Sequence, residues 1–87
     1  MDYDVVLKEL STYTAVSGYE KNTCQYIKSI FEKYCDSVEI DKFFNIIGHK
    51  KGTNGAKGRI MVAAHYDEIG FLVKSIDERG FIKFVNI

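Results

Sequence analysis

Apolar residues at the start of the chain recur at steps of three and four. Tyr3, Val6, Leu7, Leu10 and Tyr13 fall on one face of a helix expected over about Tyr3 to Tyr13. Asp2 and Asp4 sit in its first turn, where negative charge favours the helix dipole. Thr14 to Val16 break the pattern. Ser17-Gly18-Tyr19-Glu20 then reads as a capping box, with Ser17 as N-cap and Glu20 at the third helical position. The helix it opens is expected to reach about Tyr34. Its inner stripe would be Thr23, Tyr26, Ile27, Ile30, Phe31 and Tyr34, with Lys21, Lys28, Glu32 and Lys33 mostly outside.

From Ser37 the period becomes two. Val38 and Ile40 alternate with Glu39 and Asp41, which predicts a half-buried strand, and Phe43 to His49 is a second extended run rich in aromatic and β-branched residues. Lys51 to Gly58 carries three glycines and an Asn-Gly step and is expected to be an exposed loop. Arg59 to Ala64 has no polar alternation, the pattern of a strand covered on both faces. Gly70 to Ile76 and Phe81 to Val85, joined by Asp77-Glu78-Arg79-Gly80, read as a β-hairpin. Two helices followed by strands that change from buried to amphipathic predict an α/β fold with a mixed sheet. The chain stops at Ile87, just after an apolar strand, which is expected of a piece rather than of a whole domain.

Composition removes several function classes. A chain of 87 residues makes one small domain at most, and such a chain buries only about 60–65% of its unfolded surface. The 12 basic and 12 acidic residues cancel, and no basic run exceeds Lys50-Lys51, so nothing steers nucleic acid to it. The longest apolar run, Ile60 to Ala64, is far short of the roughly 20 residues of a membrane helix. The acidic start Met1-Asp2-Tyr3-Asp4 is unlike a signal peptide. Cys24 and Cys35 show neither Cys-x-x-Cys nor zinc-knuckle spacing and read as reduced thiols of a cytoplasmic protein.

Candidate chemistry is concentrated in Ala63-Ala64-His65-Tyr66-Asp67-Glu68-Ile69-Gly70. His65 and Asp67 are two apart, so an extended backbone projects them to one side. They follow an all-apolar strand, and ligand sites of open α/β sheets gather at strand carboxyl ends. A neutral imidazole is a good zinc ligand, and a nearby carboxylate can orient it. On spacing alone, a satisfied core histidine beside a solvated turn is the commoner meaning of such a triplet. Asp67 and Glu68 face opposite ways, which does not suit a retaining glycosidase, whose two carboxyl groups stand about 5 Å apart across the substrate. His49, between Gly48 and Lys50, reads as a surface strand residue. Cys24 reads as a packed or half-exposed helix residue, and Tyr13, Tyr19, Tyr26 and Tyr34 as core rim.

Taken in order, Ser17-Gly18-Tyr19-Glu20, Val38-Glu39-Ile40-Asp41, Asn45-Ile46-Ile47-Gly48, Lys50-Lys51-Gly52 and Ala63 to Phe71 resemble the amino-terminal part of the cobalt- or zinc-activated glutamyl and deblocking aminopeptidases. The best-known members of that family form tetrahedral dodecamers, and some carry the label endoglucanase. The resemblance implies part of a zinc-peptidase-type mixed sheet with two N-terminal helices over residues 1–68, and the opening strands of an inserted β-barrel over 69–87. It implies that His65 is a ligand of one metal of a two-metal site holding zinc or cobalt. Asp67 is implied to be the carboxylate that supports the catalytic centre. The family's other ligands and its catalytic glutamate have no counterpart here, so the chain is expected to be inactive alone and to hold metal only weakly. A peptide substrate and a homo-oligomer are implied for the complete enzyme. Three positions depart from the family pattern: Ala15-Val16 replace a common Gly-Pro, Tyr66 replaces methionine, and Phe44 replaces a glycine whose turn conformation phenylalanine resists. The rival readings are a non-catalytic interaction module of the same partial fold and a glycoside hydrolase.

Overall fold

Asp2 caps the first helix. Its carboxylate accepts the amides of Asp4 and Val5 at 3.0 and 3.3 Å, satisfying two donors that α1 (Tyr3–Thr12) cannot bond internally. The computed structural model describes residues 1–55 and 57–87; Ala56, in the expected Lys51 to Gly58 loop, lies outside them.

The second helix, α2 (Lys21–Tyr34), starts later than the capping box implies. Glu20, not Ser17, is at the N-cap and makes no side-chain bond to the helix. The reason lies at Gly18, whose φ of +87° is left-handed and cannot begin a right-handed helix. The Tyr19 amide instead closes a turn onto the Val16 carbonyl at 2.7 Å, and Glu20 is turned inward and buried.

The inner stripe of α2 forms around Thr23 and Cys24, both buried. The Thr23 hydroxyl donates to the Thr14 carbonyl at 3.0 Å and ties α2 to the connection from α1. Tyr13 and Tyr26 bring their rings to 5.3 Å between the two helices. Tyr34, expected inside, is exposed at the last residue of α2, where it edges a shallow depression beside Met1. Lys28, expected outside, is half-buried and reaches Glu32 one turn on at 3.5 Å.

Strands β1 (Ser37–Ile40) and β2 (Ile46–His49) pair antiparallel, from Ser37 opposite His49 to Ile40 opposite Ile46. The end of α2 lies against β2 at Gly48, where an added Cβ would stand 2.7 Å from the Cys35 sulfur and 3.1 Å from the Phe31 ring. The second strand is shorter than the Phe43 to His49 run. The Asp41 carboxylate accepts the amides of Phe43 and Asn45, both at 2.9 Å, and the Asn45 side-chain amide at 2.7 Å. Those bonds turn the chain before a ladder can form, the usual competition between an aspartate and extended structure. Phe44 takes φ +63° within the turn.

Strands β3 (Phe71–Ile76) and β4 (Ile82–Asn86) form the expected hairpin. Asp77 accepts the amides of Arg79 and Phe81 at 2.9 and 3.0 Å, and Gly80 supplies a φ of +85°. The register slips between Val73 and Ser75, so Lys74 is the extra residue of a β-bulge. Both strands are exposed along their length.

The expected strand Arg59 to Ala64, covered on both faces, does not form. Ile60, Met61 and Val62 are 94, 89 and 91% exposed. An all-apolar strand needs a ladder at its edges and cover on its faces, and the described residues provide two separate two-stranded sheets with no strand beside 59–64. The outcome is a mixed α/β chain with two helices and small antiparallel sheets rather than one mixed sheet. Its radius of gyration is 17.9 Å, against about 12 Å for a compact domain of this length.

Candidate functional site

Residues 65–68 have no ladder of their own along their length, yet they are fixed at several points. The Glu68 amide donates to the Ala15 carbonyl at 2.9 Å, and the Glu68 carboxylate accepts the Ala15 amide at 3.3 Å. Val16 and Glu68 form an isolated parallel bridge. Two residues on, Gly70 lies so close to Val16 that an added Cβ would stand 2.6 and 2.7 Å from its two methyl carbons. The connection between α1 and α2 thus acts as a one-rung strand against the candidate site.

The alternation expected of an extended segment orients the side chains. His65 and Asp67 are exposed and meet each other, whereas Tyr66 between them is half-buried on the other side. The His65 Nδ1 lies 3.0 Å from the Asp67 carboxylate and 3.1 Å from the Asp67 carbonyl oxygen. Both neighbours are acceptors, so Nδ1 carries the proton. In the neutral ring Nε2 then keeps its lone pair free, the tautomer a metal ligand requires.

The Tyr66 hydroxyl donates to the Phe44 carbonyl at 2.6 Å, and the Cys24 thiol converges on the same oxygen at 3.9 Å. Burial above all, then a hydrogen bond and charge at Cys24 and the carboxylates of Glu20 and Asp67, raises the Tyr66 phenol well above the ordinary tyrosine range. It is a neutral donor at neutral pH. Phe44 and Tyr66, two positions at which the sequence departs from the resembled pattern, are therefore joined by a hydrogen bond. Tyr66 was not among the expected site residues: the i, i+2 alternation pointed to His65 and Asp67 and said of Tyr66 only that it faces the other way.

His65 and Asp67 come together, but not as the end of a regular strand. Among the described residues no group of three His, Cys, Asp or Glu side chains could hold a metal ion. His65 thus fits a metal through one nitrogen, with Asp67 as its orienting carboxylate and further donors required from elsewhere. Glu68 is turned to Ala15 while Asp67 is turned to His65, so the two carboxylates have different partners. His49 pairs across the sheet with Glu39 at 3.1 Å at the exposed end of β2. A cleft of about 930 Å³ runs past His49, Lys51 and Arg59, and one of about 220 Å³ separates α1 from α2; residues 65–68 line neither.

Residues 45–87 match the model of M42 glutamyl aminopeptidases. A lysyl aminopeptidase of Pyrococcus furiosus is 37% identical over 83 residues, 94% of this chain and 23% of the relative. A glutamyl aminopeptidase of Lactococcus lactis subsp. cremoris is 35% identical over 79 residues, 91% of this chain and 22% of the relative. A protein of Acetivibrio thermocellus carried under an aminopeptidase name is 40% identical over 80 residues, 91% of this chain and 23% of that protein. The chain therefore spans less than a quarter of the length of these curated relatives. No solved structure matches it. The family match over residues 45–87 takes in the whole 65–70 segment, and the relatives extend the similarity across both helices: the chain belongs to the M42 glutamyl aminopeptidase family.

Proposed function

We propose that this chain is the part of a metal-dependent aminopeptidase that contributes His65 as one metal ligand and Asp67 as the carboxylate that orients it. The observation that carries this is the His65 Nδ1 to Asp67 bond at 3.0 Å, which leaves Nε2 open on a side chain 85% exposed. The other donors and the catalytic base belong to residues outside these 87. A divalent metal, zinc or cobalt, would polarise the scissile carbonyl and acidify water when bound. In the complete two-metal centre the peptide substrate is held at its amino-terminal residue. The chain's own share is to hold one imidazole in the right tautomer and direction.

Residues 1–68 then belong to the catalytic domain, and 69–87, the hairpin with its Lys74 bulge, open an inserted β-barrel. Exposed apolar segments support a homo-oligomeric whole enzyme. Two free cysteines fit a reducing, cytoplasmic compartment. No described helix is long and apolar enough to cross a membrane.

Zinc titration of the ¹⁵N-labelled chain, followed at the imidazole nitrogens, tests the assignment. Weak, saturable shifts at His65 Nε2 are expected, with His49 as internal control. Zinc that shifts His49 and leaves His65 unmoved would remove His65 from the metal centre.

A further inference from the structure

We propose that Tyr66 is a positioning residue for the His65–Asp67 pair, acting through its hydroxyl on the Phe44 carbonyl. The proposal rests on His65 being the metal ligand and adds a group that does not touch metal or substrate itself.

Among the described residues, 59–64 have no ladder partner, so no sheet upstream fixes the direction of His65. Downstream, Glu68 is held to Ala15. With that hold alone, the three residues 65–67 would pivot about one end. Tyr66 supplies the second hold, in the middle of the triplet and on its opposite side. The hydroxyl reaches a carbonyl of the β1–β2 turn, at 2.6 Å, 22 residues away in sequence.

That carbonyl is itself held in place. Phe44 is left-handed at φ +63°, a conformation that strains a residue with a side chain. The turn is braced by Asp41, which accepts the amides on both sides of Phe44, and the Phe44 amide donates to the Asp41 carbonyl at 3.2 Å. The Cys24 thiol approaches the same carbonyl from the first turn of α2 and is fully buried. Tyr66 is thus anchored to a turn braced from two elements. A half-buried hydroxyl with a satisfied acceptor resists displacement, because leaving it unpaired costs its desolvation. The direction in which Asp67 meets His65 is fixed by the residue between them.

The test is the tautomer ratio of His65 in the 87-residue chain, read from imidazole ¹⁵N shifts at neutral pH without metal. In Tyr66→Phe, and independently in Tyr66→Met, the ratio of Nδ1–H to Nε2–H forms should fall about fivefold, the change that one ordinary hydrogen bond commands. The amide signals of α2 and β1–β2 should stay dispersed. In the unaltered chain the Tyr66 hydroxyl proton should exchange slowly and show a cross-peak to Phe44. An unchanged ratio in both variants, or a freely exchanging hydroxyl, overturns the proposal. Loss of the whole dispersed spectrum in both variants overturns it too, because it would show a general packing role. The readout needs neither zinc nor peptidase activity, so it is decided separately from the metal assignment.

Discussion

Glu68 and Ala15, 53 residues apart, exchange two hydrogen bonds: the Glu68 amide donates to the Ala15 carbonyl and the Glu68 carboxylate accepts the Ala15 amide. Ala15 is 2% exposed, one of the few fully enclosed apolar positions. The candidate site is therefore joined to the connection between the helices before any metal is considered. Substituting Glu68 by Gln should keep the amide bond and weaken the carboxylate bond, with a loss of about 0.5–1.5 kcal/mol in urea unfolding. An unchanged midpoint would show that the carboxylate does not hold Ala15 in solution.

Gly70 gives a sharper test of the same junction. An alanine Cβ there would stand 2.6 Å from Val16 Cγ2, and overpacking of this kind costs about 1–3 kcal/mol. Gly70→Ala should destabilise the chain, and Val16→Ala in the same molecule should return most of the loss. A double variant no more stable than Gly70→Ala alone would place the close approach elsewhere.

Acid should loosen the β1–β2 turn. The Asn45 side chain first, then the amides of Asn45 and Phe43, holds the Asp41 carboxyl below the ordinary aspartate range. Because the folded value is lowered, the stabilisation is present above the ordinary aspartate pKa of about 3.9 and is lost as pH falls through the folded value. The Phe43 and Asn45 amide shifts should move together in that acid window. Asp41→Asn should abolish the movement, and a variant titrating like the parent would assign it to another carboxylate.

Much of the fold was legible from periodicity. The face from Tyr3 to Leu10 and the Asp77–Gly80 turn produced α1 and the hairpin near their expected bounds. Elements were misplaced where one residue's backbone geometry overruled the pattern. Gly18 at φ +87° moved the N-cap of α2 from Ser17 to Glu20, and Asp41 claimed amides that would have extended β2. Residues 59–64 show a different limit: an all-apolar run becomes a strand only where other strands pair with its edges, and the described residues place none there. At the site, spacing brought His65 and Asp67 together, but the Tyr66 to Phe44 bond depends on a turn that spacing does not encode.

Exposure of Ile60, Met61 and Val62 leads us to propose self-association of the isolated chain. Exposed apolar surface favours any covering partner by about 25 cal/mol per Å², and open strand edges add unpaired backbone groups. Sedimentation velocity at micromolar concentration should show species larger than a monomer, reduced by Met61→Lys with Val62→Glu. A concentration-independent monomer would mean that the segment is covered within one chain.

The most direct measurement grafts this chain in place of the 79 matched residues of the Lactococcus lactis glutamyl aminopeptidase and follows hydrolysis of a chromogenic glutamyl amide with added cobalt or zinc. The 87-residue chain alone should release nothing, since a catalytic zinc needs about three protein ligands. The chimera should hydrolyse the amide, and His65→Ala should reduce its rate by at least about a hundredfold, the scale on which ligand-sphere groups act. A folded chimera that works equally well with His65→Ala would contradict the placement of His65 at the metal.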